Sequence, residues 1–582
     1  ALQKLTPSFS SMTNGMGTTL SLNGLPDDYF IFLENGKRLY GDDTYARINV
    51  AKIKRIEILN GASSALYGTN AIGGVINIIT DDAKNAINVS SDTRYASKGR
   101  FTQSVNIDVN TGKFGSYTSY RRQQAEGWQL NPYEENSKTH ELEETGKVAS
   151  TGFYANTVNQ KFTFDATDKL SFYARGGYYD NKTRRPYEAY DYNILHETFN
   201  YGIGAQYMIN KGNYITADCY ADHFSSSYCF FKDNKTYNGK AGEEQVRKRT
   251  RNHNLSIKGI FKLGNRHKLS VGTEYIVDVL KSQTDNIAKE DAYTLALFAQ
   301  DEIKLLRNLQ ALIGVRYIYH ENFKNHATPN VALMYKPGKF NFRASYAAGF
   351  RTPTLSELYA TDIAKKNDRL TIGNLDLKPE KNNYFSLSAE YVHERFSVSV
   401  NAFYNNIRDM IDYNTIATGD KAMEQYGHKE VRQRDNIAEA KVHGINVSAN
   451  AYLGAGFNLS GGYTHLNTQD VELEQPIDKS IKNAYNINAQ WAHSWKIYRL
   501  NINLNGRINS KRFSKSYGYA PEYQLWNLNT RHSFNLKSVI IEPGCGMENL
   551  FDYMDDRPYN SNYATLTPGR SFYISLSLKF KS

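Results

Sequence analysis

From about residue 85 to the end of the chain, apolar and polar residues alternate in runs of about ten. In 500–508, Leu500, Ile502, Leu504, Gly506 and Ile508 share one face, and Asn501, Asn503, Asn505 and Arg507 share the other. In 571–580, Phe572, Ile574, Leu576, Leu578 and Phe580 lie opposite Tyr573, Ser575, Ser577 and Lys579. Phe396, Val398, Val400, Ala402 and Tyr404 repeat the pattern against Ser397, Ser399 and Asn401. A period of two is that of a strand with one apolar and one polar face. In a soluble sandwich the apolar face meets a dry core. In a transmembrane barrel it meets lipid, and the lumen stays polar and hydrated. Asn and Arg on the second face, with Tyr and Phe near strand ends, favour the barrel. Closure also removes the edges that so many strands would expose.

The connections alternate in length. A short turn spans 392–395, and a polar stretch from Tyr404 to about Ala440 reads as a long loop. A strand near 444–453 turns tightly at 454–456 into 457–465, and long loops follow at about 470–483 and 553–570. Short turns on one side and long loops on the other predict periplasmic turns and extracellular loops, with the last strand running down to the periplasm. At about 23 residues per strand and connection, the region fits about 22 strands, within a range of roughly 18 to 24. The fold class expected is all-β: a 22-stranded antiparallel transmembrane β-barrel.

Composition narrows the function. The longest apolar run is 451–457 and mean hydropathy is −0.60, which excludes a helical membrane protein, whose spans need about 20 apolar residues. Three Cys exclude a disulfide scaffold. Cys219 and Cys229 stand ten apart across an expected hairpin and are either bonded or two free thiols. Net charge is +11, but the basic residues are scattered, so nucleic acid is not an expected partner. No charged and apolar leader opens the chain, which reads as a mature form or a fragment. No HExxH, GxSxG or CxxC occurs, and Thr111-Gly112-Lys113 runs into Phe114 rather than completing a P-loop. The 13 His show no metal-ligand spacing. We therefore expect no catalysis, no resident metal and no intrinsic cofactor.

Residues 1–80 lack the long alternation. They are Gly-rich, with a short strand at 29–33, a turn at Asn35-Gly36 and another strand at 53–59. A small mixed α/β segment ahead of a wide barrel suggests something that fills the lumen. Here the chain becomes recognisable. Arg55-Ile56-Glu57-Ile58-Leu59-Asn60-Gly61-Ala62, with Tyr67-Gly68 and Asn70-Ala71-Ile72-Gly73-Gly74-Val75-Ile76-Asn77, resembles the end of the plug domain of TonB-dependent outer-membrane transporters. Phe350-Arg351-Thr352-Pro353 and Asn374-Leu375-Asp376-Leu377 resemble that family's paired barrel motifs. Glu548-Asn549-Leu550-Phe551 and the strand ending at Phe580 resemble its C-terminus.

The resemblance implies the C-terminal part of an N-terminally incomplete plug in 1–80, a barrel in 81–582, and residence in the bacterial outer membrane among its lipids. It also implies import of a scarce metal chelate, driven through the TonB complex. The segment that engages TonB is not found at the start of this chain, so these residues are expected to bind ligand without coupling. Gly61, Gly68, Gly73 and Gly74 are expected to allow tight turns and close packing of plug on wall. Arg55 and Glu57 share a strand face, and are either part of a rearrangeable polar plug–wall interface or ordinary solvated charges. By register with the family, the apical plug loops supply the ligand contacts Met12, Asn14, Tyr40, Asp42, Asp43, Thr44 and Tyr45. Tyr359 joins them from a barrel loop. The alternative for all of these is plain loop exposure.

Residues 15–25 and 37–43 are similar to the plug of a vitamin B12 receptor, which ranks corrinoid (cobalamin) first, haem second and ferric siderophore third. Haem receptors of the family carry a His between the paired motifs. None stands between Arg351 and Asn374, which leaves His320, His326 and His428 as candidate axial ligands. An ungated porin, a surface-binding barrel without transport, and a surface lipoprotein that captures ligand stay open as alternatives or additions.

Overall fold

The computed structural model describes residues 6–14, 17–48, 53–62, 67–80, 86–136, 138–364, 368–515, 518–559 and 567–581. The alternating region forms a closed antiparallel barrel of 22 strands. The first of them, Ile87–Ala96, pairs with the last, Ser571–Lys581, with Tyr95 opposite Ile574 and Val89 opposite Phe580. Along that last strand Phe572, Ile574, Leu576 and Phe580 point out to lipid, 41–66% exposed, while Ser577 is buried inside. Strand Tyr498–Asn509 behaves likewise: Asn505, Arg507 and Asn509 are buried on the lumen side. Backbone groups are satisfied by the closed ladder, which is what a strand crossing hydrocarbon requires.

Two readings of the chain are corrected. The polar stretch after Tyr404 is not a loop. Strands Phe396–Thr418 and Glu430–Gly454 run through most of it, joined over a short helix, Gly419–Tyr426. Their 23 and 25 residues far exceed the 9–11 or so that cross a membrane, so the polar ends continue as a paired ribbon outside it. Cys219 and Cys229 do not flank a hairpin. Both lie on strand Asn213–Phe230, opposite Ile203 and Asn193, about 33 Å apart at the rise of a strand. Both are free thiols, as is Cys545.

The segment ahead of the barrel sits inside it. Phe9–Asn14, Gly17–Leu22 and Leu25–Pro26 form one small sheet. Lys37–Arg38, Phe30–Glu34, Gly74–Thr80 and Ile53–Asn60 form another in that order, its central pair parallel. Leu22, Phe30, Phe32, Ile76 and Ile78 make its own core. Asn35 and Gly36 take the turn with φ of 51° and 78°.

The contact between plug and wall is more apolar than Arg55 and Glu57 suggest. Leu25, Tyr29, Ala62 and Ile72 pack against Tyr384, Phe403, Ile407, Val442 and Leu466 of the wall. Each fully buried side chain of this size contributes about 1.5–3 kcal/mol relative to exposure. Gly61 makes the closest approach: a Cβ there would lie 2.1 Å from the Tyr384 ring, and its φ is +82°. Gly68 faces the Arg316 guanidinium, whereas Gly73 and Gly74 pack within the plug, against Leu25, Leu22 and the Leu59 carbonyl.

Candidate ligand-binding site

Polar contacts fix the plug's orientation. The Arg47 Nη1 donates to both oxygens of Asp222 on the wall, and the Tyr40 amide donates to the same carboxylate at 3.0 Å. Arg121 of the wall donates to the Ile48 carbonyl at 2.9 Å, and Arg507 to the carbonyls of Thr6 and Pro7 at 3.1 Å each. Lys37 pairs with Asp218 at 2.7 Å. The two barrel motifs meet at Arg351. It grips Glu357 at 3.0 and 3.1 Å and also pairs with Glu380, which accepts from the Tyr29 hydroxyl at 3.2 Å and the Ile411 amide at 2.9 Å. Burial works against the charge of Glu357, but Arg351 outweighs it and holds the carboxyl below the usual range. This anchors the loop helix Leu355–Tyr359, whose capping box at Thr354 and Glu357 satisfies its first turn.

Above this framework the plug and wall enclose a vestibule of about 850 Å³ on the long-loop side. Tyr40, Asp42, Asp43, Thr44 and Tyr45 all line it, facing Arg121, Tyr179, Asn181 and His196. Asp43 accepts from His196 Nδ1 at 2.8 Å and from Asn181 at 3.0 Å. Burial disfavours its charge, but these bonds and the Arg47 charge bring the carboxyl below its ordinary range. Burial pushes the Tyr45 hydroxyl up to about 12 and the Tyr40 hydroxyl higher still. Asp27 also lines the vestibule. It keeps exposed surface, but the surrounding protein, and then Asp28, push its carboxyl up to about 6.

A second cavity, about 940 Å³, lies between the plug and strands Asn213–Phe230 to Leu309–His320. Arg55 and Glu57 face into it, paired with each other at 2.6 Å, and Asn77 donates to Glu57 at 2.9 Å. Arg316, 1% exposed, pairs with Glu274 beside it. Asp28, Arg38, Tyr40, Gly41 and Asn70 line both cavities, so the 38–41 segment stands between them.

The remaining expected residues are scattered. Met12 and Asn14 lie on strand Phe9–Asn14, opposite Thr19 and Gly17, with side chains outside the described residues. Tyr359 packs with Phe323 against Leu358, Leu377 and Ile411 rather than lining either cavity. His320 is buried and lines the larger cavity, with its Nδ1 accepting from the Asn322 amide. The His326 ring stacks on Phe350 at 5.1 Å, and His428 bonds Asp368 at 2.8 Å beside an outer loop. Among the described residues no cluster of three or more His, Cys, Asp or Glu could hold a metal ion. Sequence reasoning missed Arg121, Tyr179, Asn181, His196 and Asp27. The wall residues occupy lumen-facing alternate positions, but alternation alone does not say which of those meet the plug.

Comparison with known proteins agrees along the whole chain. Residues 80–541 match the family described as TonB dependent receptor-like, beta-barrel, and residues 1–75 match the TonB-dependent Receptor Plug Domain. A mutant of the ferric enterobactin receptor PfeA from Pseudomonas aeruginosa is 16% identical with a TM-score of 0.85, over 100% of this chain and 95% of that one. The siderophore receptor PirA from Acinetobacter baumannii is 15% identical with a TM-score of 0.80, covering 100% and 95%. The FrpB iron transporter from Neisseria meningitidis is 14% identical with a TM-score of 0.77, covering 100% and 96%. The chain belongs to the TonB-dependent receptor family, as an integral outer-membrane barrel filled by a plug.

Proposed function

We propose that this receptor imports a ferric chelate of the siderophore class, captured in the vestibule by Tyr40, Asp42, Asp43, Thr44 and Tyr45 with Arg121 and His196. One observation carries the reading. The vestibule floor is the 38–41 segment, which also bounds the larger cavity, so a movement of that segment joins the two spaces. Tyrosines and guanidinium groups converging on a concave space of this size suit a bulky, anionic chelate. The solved receptors similar to this fold bear names of siderophore and iron uptake, which moves the siderophore ahead of the corrinoid favoured by the sequence. Met12, Asn14 and Tyr359 belong to the proposal only as contacts made by loops that close over ligand. We take 1–80 as plug and 81–582 as barrel, and the TonB complex as the partner that moves the plug. Haem is the second reading, favoured by His320 in the larger cavity.

The test uses Trp128, which lines the vestibule. Purified receptor is titrated with ferric enterobactin, ferrichrome, cyanocobalamin and haemin, reading tryptophan quenching, with Trp128→Phe as the signal control. Ferric siderophore binding that falls at least tenfold in Asp43→Ala and Tyr45→Ala supports the proposal. Tight cobalamin binding without a ferric response overturns it. Haemin binding lost in His320→Ala selects the second reading. Silence from all four points to capture by a surface lipoprotein. Large steady conductance in a planar bilayer would instead indicate an ungated pore.

A further inference from the structure

The lumen accounts for the inward face of the strands, but the outward face carries a cluster of its own. On strand Glu244–Leu263, Asn252, Asn254, Ser256 and Lys258 line the larger cavity. Arg249, Arg251, His253, Leu255 and Ile257 alternate with them on the outside, all exposed. From Leu255 to Leu263 every outward residue is apolar or Gly, a stretch of about nine residues, which is what a tilted strand needs to cross hydrocarbon. Arg249 and Arg251 therefore stand just above the apolar belt, on the long-loop side.

The two neighbouring strands reach the same height with the same chemistry. On Asn213–Phe230, outward Ile215 to Ala221 give way to His223, which lies opposite Arg251. On His267–Ser282, outward Val277 and Val279 give way to Lys281, which lies opposite Arg249. The His223 and His253 rings meet at 5.1 Å. Of the nearby acids, Asp291 pairs with Lys289 at 3.4 Å, and Glu197 accepts from the Tyr178 hydroxyl at 2.8 Å; neither pairs with these cations. Arg249, Arg251 and Lys281 have no ion-pair partner among the described residues. Like charges on directly opposed strand positions repel, so three unpaired cations on two adjacent strands call for a counter-charge from outside the chain.

We infer that this patch binds the phosphorylated headgroup of an outer-leaflet lipid. Two guanidinium forks and an ammonium suit phosphate oxygens, as a fork matches them in pairs. The apolar surface directly below, Leu255, Ile257, Tyr275 and Val277, receives the acyl chains. That surface argues for a lipid over a free phosphate, which would gain nothing from it. The partner is a diphosphorylated glycolipid of the lipid A type, held at one place on the wall.

The test is reconstitution into phosphatidylcholine nanodiscs carrying diphosphoryl lipid A or its dephosphorylated form, with bound lipid read by native mass spectrometry. Each cation near an anionic surface strengthens attachment about fivefold, so R249Q/R251Q/K281Q should retain about a hundredfold less diphosphoryl lipid A. R122Q, an exposed arginine on a distant strand, should match the wild type. If the triple variant fails to show the heat-modifiable mobility of a folded barrel, the single variants R249Q and K281Q are read, each expected to lose about fivefold. Equal retention by the folded triple variant or by both single variants, or equal binding of dephosphorylated lipid A, overturns the inference. Displacement of the lipid by millimolar inorganic phosphate alone also overturns it, in favour of a simple anion site.

Discussion

Arg47 of the plug and Asp222 of the barrel wall form an ion pair closed to solvent, with side chains 5% and 0% exposed. One Arg47 nitrogen reaches both carboxylate oxygens, at 3.0 and 3.1 Å, and the Tyr40 amide completes the shell. Removing one partner of such a pair strands a buried charge, at a cost of about 3–5 kcal/mol. Asp222→Ala should loosen the 40–47 segment without breaking the barrel. Planar-bilayer conductance and sensitivity to large antibiotics should rise while heat-modifiable mobility persists. Unchanged conductance would show that the remaining plug–wall contacts hold the plug without this pair.

Gly61 is the tightest point of that seam. Gly61→Ala meets the Tyr384 ring and a positive φ together, and overpacking of this kind costs about 1–3 kcal/mol. Adding Tyr384→Leu should relieve the clash and leave the backbone strain, about 1–2 kcal/mol. Thermal unfolding of the two variants separates the terms; equal melting temperatures would mean that no clash exists.

Binding should depend on pH through Asp27, whose carboxyl is pushed up to about 6 by the surrounding protein and then Asp28. Its folded value lies above its unfolded one, so its charge opposes folding above pH 6 and the penalty disappears as pH falls toward 4. An anionic ligand in the vestibule meets that charge at pH 7 and not at pH 5. Affinity should therefore rise as pH drops across 6, and Asp27→Asn should flatten the profile. A step that survives in Asp27→Asn would assign it elsewhere.

Arg351 bridges Glu357 and Glu380. Arg351→Lys removes the paired fork geometry and keeps the charge. Limited proteolysis should then cut within 352–379, where the wild type resists. Resistance in the variant would mean that the Leu358–Leu377–Ile411 contact anchors the loop by itself.

All three cysteines should react under denaturing, non-reducing conditions, giving a mass increase of three alkyl groups. Two fewer adducts would mean a bond that the spacing along strand Asn213–Phe230 forbids.

The barrel was legible because its signal is local: Leu500 to Ile508 alternate whatever surrounds them. Family register singled out Tyr40 to Tyr45, and these residues line one cavity. What stayed hidden depends on distance along the chain. Arg351 and Glu380 are 29 residues apart, and Tyr29 reaches Glu380 across 351. Nothing in the plug sequence marks Leu25 and Ile72 as wall contacts, yet they pack on Phe403 and Leu466. The expected hairpin between Cys219 and Cys229 failed because strands here outlast the membrane, so a ten-residue interval fits within one strand instead of rounding a turn.

The plug is seated asymmetrically. One flank is glued to the wall by Leu25, Tyr29, Ala62 and Ile72, and the other faces open space bounded by the Lys37–Asp218 and Arg316–Glu274 pairs. Such a seat behaves as a door with one hinged edge, not as a cork. A pull from the periplasm should free the cavity-facing edge first, where the partly exposed Lys37–Asp218 pair links plug to wall, and swing the plug about its greasy jamb. Hydrogen exchange under load should accelerate at 37–41 well before 25–29, and the passage it opens should be a crescent along one wall, never the full bore.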